Sequence, residues 1–188
     1  AYSRLLLLAK EGKIGKVYSV DATCTSLRPI AEDAWDSICD WGPTAMLPIF
    51  NILGNDYKTK NIVSHIDDEG HDQFTKITFL YDHAVASATV AKGVKSEGEL
   101  IVSGTKGYIY VPAPWWKTDY FELRYENPND NKKYFYKWDG YGLRYEIQEF
   151  VSCIVNKRFS SARLRRKESI CMAQIMQQFL ERKNYNQI

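Results

Sequence analysis

Residues 99–112 read ELIVSGTKGYIYVP. Two runs of aliphatic, β-branched and aromatic residues flank Thr105-Lys106-Gly107. That link is too short for a helical crossover, so the two runs read as an antiparallel hairpin. The same pattern extends outward. From Tyr57 to Trp138, short runs at 61–66, 74–80, 85–92, 99–103, 107–112, 120–125 and 133–138 are separated by turn residues, with further hairpin turns at 81–83 and 127–131. Ahead of this block, residues 2–11 read as a helix stopped by Gly12 and Gly15, and Val17 to Cys24 alternates as a strand that ends at Arg28-Pro29. Beyond Gly140 the period returns to that of a helix. Leu143, Ile147, Phe150, Val151 and Ile154 form one apolar stripe, and Ile170, Ala173, Ile175, Met176 and Phe179 form another. The expected class is α+β: one domain over residues 1–188, a large mainly antiparallel β-sheet with helices packed on one face.

Simple alternation assigns the sheet faces. Leu100, Val102, Ile109 and Val111 give an aliphatic face suited to covering helices. Tyr108, Tyr110, Tyr134, Tyr136 and Trp138 would then point the other way. A tyrosine-rich surface of this kind serves as a homo-oligomer contact or as a half-exposed face whose rings shield backbone.

Composition narrows the function classes. The chain has 45% hydrophobic and 26% charged residues, so a packed core rather than disorder is expected. Its 25 basic and 23 acidic residues leave a formal net charge of +2, which gives no general attraction to nucleic acid or an anionic membrane. The basic run 163–167 reads as a solvated lead-in to the last helix. Cys24, Cys39, Cys153 and Cys171 lie far apart without metal-ligand spacing, as free thiols do in a reducing compartment. The three histidines pair with no carboxylate at ligand spacing, and no metal is expected. Leu5 to Leu8 is too short for a secretory core, and no run approaches a membrane span, so the expected location is the cytoplasm.

The search for chemistry settles on one segment. Gly104-Thr105-Lys106-Gly107 joins two strands, so it presents no helix N-terminus to a phosphate. Asp40-Trp41-Gly42-Pro43-Thr44 reads as a helix entrance running on to Leu53, with Pro43 in the first turn, Asp40 beside the N–H groups and Thr44 one turn on. From the residues alone, Asp40 is either the cap of that helix or a carboxylate held ready for a ligand. Pro48 removes the hydrogen bond to the Thr44 carbonyl and predicts an irregular turn. Further polar and aromatic candidates are Arg28 at the end of the first strand, Trp35 in the acidic loop, Trp115 with Trp116 after a strand, and Tyr141, Arg144 and Tyr145 at a helix start. Each could hydrogen-bond or stack on a polyol, and each has a packing, capping or ion-pair role as its alternative.

The order of these motifs resembles a known domain. Residues 11–17, EGKIGKV, are similar to a "G-x-iG-x-v" strand entry, and DWGPT followed by Leu53-Gly54 fits a D-x-G-x-H…G segment. Residues 100–109 resemble an "i-x-G-t-x-G-x-i" hairpin, residues 141–150 a "G…E…F" helix, and Glu168-Ser169 a closing "ES" helix start. Together they resemble the C-terminal substrate and oligomerisation domain, dihydrodipicolinate-reductase-like in fold, of the glucose–fructose oxidoreductase / inositol dehydrogenase / MocA (Gfo/Idh/MocA) family. The resemblance implies NAD- or NADP-dependent hydride transfer on a sugar, polyol or nucleotide-sugar. It also implies a preceding Rossmann domain that carries the cofactor and a catalytic lysine, neither of which lies in these residues, so the chain by itself is expected to be inactive. It assigns Asp40 to the substrate-binding aspartate of D-x-G-x-H and places Thr44 where the family has its catalytic histidine. A threonine hydroxyl does not exchange protons at neutral pH as an imidazole does. A non-catalytic dimerisation or carbohydrate-binding domain is therefore the alternative.

Overall fold

The computed structural model describes residues 1–27, 36–137, 140, 142–161, 163–183 and 185–188. Its elements run α1 (Tyr2–Lys10), β1 (Val17–Ser26), α2 (Ser37–Leu53), β2 (Thr59–Ile66), β3 (Asp72–Leu80), β4 (Val85–Lys92), β5 (Leu100–Gly104), β6 (Tyr108–Val111), β7 (Tyr120–Arg124), β8 (Lys132–Phe135), α3 (Leu143–Val155), α4 (Arg166–Leu180) and β9 (Asn186–Gln187). Among the described residues the strands form one sheet of nine in the order β8-β7-β6-β5-β1-β4-β3-β2-β9. The α+β class expected from the sequence is the class observed.

The hairpin of residues 99–112 is present, with Leu100 opposite Val111 and Ser103 opposite Tyr108. The central strand is the surprise. β1 lies between the two meanders, antiparallel to β5 and parallel to β4. Its inward residues Val20, Ala22 and Cys24 are buried against α2, as a central strand requires. Turn chemistry reports only on chain neighbours, so the hairpin signals could not place a strand that arrives through a long connection.

Helices cover one face of the sheet. α2 lies across β4, β1 and β3, with α4 beside it. Ile49 and Phe50 of α2 join Ile62, Ile77, Phe79 and Val90 in a fully buried core, where the Phe50 and Phe79 rings meet edge-on at 5.5 Å.

The tyrosines expected on one open face divide between the two faces. Tyr108 and Tyr110 lie opposite Arg124 and Glu122 on the uncovered side. Glu122 in turn pairs with Lys133, which puts Lys133 and Phe135 on that side and Tyr134 on the other. Tyr134 stacks on buried Phe121 at 5.0 Å, and Tyr136 stacks on the same ring at 6.2 Å. The even-numbered residues of β8 share a face with the odd-numbered residues of β6, because a pairing register sets parity and composition does not. Tyr134 and Tyr136 therefore do not belong to the open face; Tyr120 and Phe135 take their places, their rings 5.7 Å apart. Trp138, the fifth aromatic residue of that pattern, lies outside the described residues.

One glycine in the hairpin is needed for close approach. A Cβ at Gly104 would sit 2.2 Å from the Ile14 carbonyl oxygen, where the α1–β1 loop passes the end of β5. Gly104→Ala should cost about 2 kcal/mol, since backbone on both sides must shift. Equilibrium urea unfolding monitored by circular dichroism checks this.

Candidate functional site

The helix that carries DWGPT begins earlier than the sequence predicts. Asp36 is its N-cap residue and Ser37 its first helical residue, so Pro43 lies in the second turn and Asp40 is inside the helix. The capping is supplied from another element. Asp72, at the start of β3 and fully buried, accepts hydrogen bonds from the Ile38 backbone N–H at 3.0 Å, the Ser37 hydroxyl at 2.5 Å and the Thr75 hydroxyl at 2.7 Å. Burial pushes the Asp36 and Asp72 carboxyls above the usual carboxylate range. With Asp72 in that role, Asp40 is released from capping.

Asp40 pairs with a lysine instead. Lys92 Nζ lies 2.8 Å from Asp40 Oδ2. The lysine side chain is 9% exposed and the aspartate 47%, so a nearly buried cation holds a carboxylate that still faces solvent. Lys92 ends β4 on the same parity as Ala86, Ala88 and Val90, all of which point into the core. A lysine at an inward position of a strand is the signal in the sequence that could have revealed it.

Thr44 lies one turn beyond Asp40 and opens onto a cleft of about 710 Å³. Tyr2, Trp115, Trp116, Tyr136 and Tyr145 supply its aromatic walls. Lys117, Lys137 and Arg163 line it with positive charge, and Glu146 adds one carboxylate. Trp116 ties the cleft to the Asp40 turn, because its ring packs on Trp41 at 5.0 Å. The same ring lies over Gly98, where a Cβ would come within 3.1 Å of it. Trp115 is fixed by its backbone N–H to the Gly98 carbonyl at 3.0 Å and is 8% exposed, so it forms a wall of the cleft and a part of the core at once. Pro48 sits inside α2, which leaves the Thr44 carbonyl without its usual helical donor.

The structure thus gathers Thr44, Trp115 and Tyr145 around one cleft, with Asp40 on the adjoining turn. Arg144 is exposed, its guanidinium 5.2 Å from the Tyr145 ring, and it does not line the cleft. Arg28, Trp35 and Tyr141 lie outside the described residues. Lys92 and Lys117 were not singled out from the sequence, and Tyr136 and Arg163 were read as an open-face tyrosine and part of a solvated basic run. Lys117, Tyr136 and Arg163 are brought to the cleft by strand and loop placement, which no local pattern announces.

Comparison with solved structures then bears on what this arrangement is. The chain superposes over its whole length on the 3-ketoreductase KijD10 of Actinomadura kijaniata, solved in complex with NADP and TDP-benzene, with a TM-score of 0.79 and 13% identity. It carries the fold of the C-terminal domains of the Gfo/Idh/MocA oxidoreductases. An aldose–aldose oxidoreductase from Caulobacter crescentus, complexed with glycerol, matches 94% of the chain with a TM-score of 0.74 and 14% identity. The probable oxidoreductase YhhX matches 96% with a TM-score of 0.68 and 16% identity. The chain spans 59%, 56% and 59% of the lengths of these three. No protein-family model and no curated protein matches the sequence.

Neither the hairpin of residues 99–112 nor the link from β1 to α2 carries a glycine-rich strand-to-helix turn. The glycine pair of residues 104–107 turns between β5 and β6, and the segment from Leu27 to Asp36 that leads into α2 contains no glycine. No group of three His, Cys, Asp or Glu residues is placed to hold a metal ion among the described residues. None of their helices is long and apolar enough to cross a membrane.

Proposed function

We propose that this chain is the substrate-binding and subunit-contact domain of a cytoplasmic NAD- or NADP-dependent oxidoreductase. Its substrate is a hydroxyl or carbonyl of a sugar, polyol or nucleotide-sugar. The cofactor is carried by a Rossmann domain outside residues 1–188, so these residues alone are inactive. The observation that carries the reading is the Asp40–Lys92 pair, one turn before cleft-lining Thr44, on the fold of these oxidoreductases.

The nicotinamide supplies or takes the hydride. The residues of this chain do the rest of the positioning. Asp40 accepts a hydrogen bond from a substrate hydroxyl, and Lys92 fixes the carboxylate in one orientation by holding Oδ2. The Thr44 hydroxyl donates to or accepts from the same or the neighbouring oxygen. The aromatic walls pack on the apolar face of a sugar ring, and Lys117, Lys137 and Arg163 favour a substrate that carries negative charge. The uncovered sheet face, with Tyr108, Tyr110, Tyr120 and Phe135, is the homo-oligomer contact. There the Arg124 guanidinium lies 4.2 Å from the Tyr110 ring and Lys133 Nζ lies 4.0 Å from the Tyr120 ring, which holds flat aromatic surface ready for a partner copy.

The complete polypeptide, assayed by nicotinamide absorbance with NAD(H) and NADP(H) against free sugars, polyols and nucleotide-sugars, should turn over at least one of them. Asp40→Asn should raise KM for that substrate about tenfold, as loss of one charged hydrogen bond does. Thr44 in place of an imidazole favours a second reading, in which the domain binds and dimerises without catalysis. Absence of turnover on every substrate with both cofactors would support that second reading and overturn the first.

A further inference from the structure

The loop of residues 93–99, which joins β4 to β5, contains Gly93 and Gly98, and the two are there for different reasons. Gly93 has a φ of 85°, a conformation that side chains rarely adopt. Gly98 lies outside that region, so its backbone would accept a side chain. What the side chain would meet is Trp116. A Cβ at Gly98 would come within 3.1 Å of Cη2 and Cζ3 of that ring, where carbon atoms pack best at about 3.5–4.0 Å. Trp41 and Trp115 pack on the same ring at 5.0 Å and 6.1 Å, so a displacement is passed on to the cleft wall.

The loop itself is pinned to β1. The Gly93 N–H donates to the Ser26 carbonyl at 2.8 Å, and the Thr23 N–H donates to the Glu99 carbonyl at 3.1 Å. Buried Thr25 donates its hydroxyl to the Ser96 carbonyl and accepts the Ser96 N–H, both at 3.0 Å. This fixed loop connects the two halves of the candidate site. It leaves β4 at Lys92, whose Nζ holds Asp40, and it reaches Gly98 against Trp116, whose ring packs on Trp41, the residue after Asp40. Carboxylate and aromatic wall are therefore tied together twice, once through the chain at Asp40-Trp41 and once through the loop.

We propose that Gly98 is a positioning residue that sets specificity. The room it leaves fixes the Trp116 ring relative to Asp40, so that a sugar ring stacked on Trp116 brings a hydroxyl to that carboxylate. The role in specificity rests on the oxidoreductase reading above; the seating of the ring does not.

The test is a cycle of Gly98→Ala, Trp116→Phe and the double variant in the complete polypeptide. Phenylalanine lacks the two indole atoms that Gly98 accommodates, so the cycle separates the seating of the ring from any other effect of the added methyl group. Ring placement is read from the tryptophan exciton couplet in circular dichroism, identified by its loss in Trp116→Phe. Function is read from steady-state kinetics on the panel of free sugars, polyols and nucleotide-sugars with NAD(H) and NADP(H). Gly98→Ala should alter the couplet and raise KM about tenfold for the panel compound that wild type turns over best, with kcat within about twofold, as loss of an aromatic contact in binding does. In the Trp116→Phe background the same substitution should change KM by less than about twofold. An unchanged couplet in Gly98→Ala would overturn the seating. A KM effect that persists undiminished in the double variant would assign it to the loop rather than the ring and overturn the proposal. An altered couplet with unchanged KM would overturn the role in specificity alone. Absence of wild-type turnover on the whole panel would overturn the oxidoreductase reading and the role in specificity with it, while an altered couplet would still uphold the seating.

Discussion

Lys92→Met in the complete protein should lower kcat/KM about a hundredfold, the penalty expected when a binding group loses its orientation, and leave the fold standing. The argument turns on the unequal exposure of the two partners. Removing a charge whose partner is buried strands that partner in low dielectric. Here the partner left behind is Asp40, whose side chain is 47% exposed and can be solvated by water. Methionine also replaces a lysine stem of similar length at an inward strand position, so packing is kept. Thermal denaturation should therefore shift by no more than a few degrees, about 1 kcal/mol in a domain of this size. The converse variant, Asp40→Ala, removes the carboxylate 2.8 Å from the nearly buried Lys92 ammonium and should lose both activity and stability. Steady-state kinetics and melting curves on the two variants separate orientation from folding.

Asp72→Ala should destabilise the chain by about 3 kcal/mol without touching the cleft, since it strands buried donors and removes a helix cap together. The donors are the Ile38 N–H and the Ser37 and Thr75 hydroxyls, all at the point where α2 meets β3. The pH dependence has a definite sign. Burial raises the Asp72 carboxyl above its unfolded value, so its folded form binds the proton more tightly. The stability it contributes is complete below the unfolded value of about 4 and is lost as pH rises through the higher folded value. The gap between wild type and Asp72→Ala should thus be wider near pH 4 than at neutrality, as urea denaturation at several pH values will show.

Much of the fold was legible because it is written in local terms. The hairpin of residues 99–112 and the turn at 81–83 carry their own chemistry, and the strands fall within a few residues of their expected bounds. What the sequence withheld depends on elements far apart in the chain. The place of β1 between β4 and β5, the parity that sends Tyr134 inward, and the cap that Asp72 lends to α2 are all tertiary choices. Asp40 illustrates the consequence for the site. DWGPT reads as a helix entrance because proline and glycine favour one, yet the buried carboxylate of Asp72 pulls the helix start back to Ser37. That shift turns Asp40 from cap to ion-pair partner. Lys92 left a trace in the strand VASATVAK, where a charge stands at an inward position, but only the structure shows which carboxylate it meets.

The most direct measurement is isotope transfer in the complete polypeptide. Reduced nicotinamide cofactor, deuterated at the transferable position of its ring, is incubated with the oxidised form of the sugar-type substrate and the product is read by mass spectrometry and NMR. The account predicts one deuterium on the carbon that bears the new hydroxyl in the wild-type product, with transfer sharply reduced in Lys92→Met. Product formed without deuterium, or no transfer to any sugar, polyol or nucleotide-sugar, would contradict it.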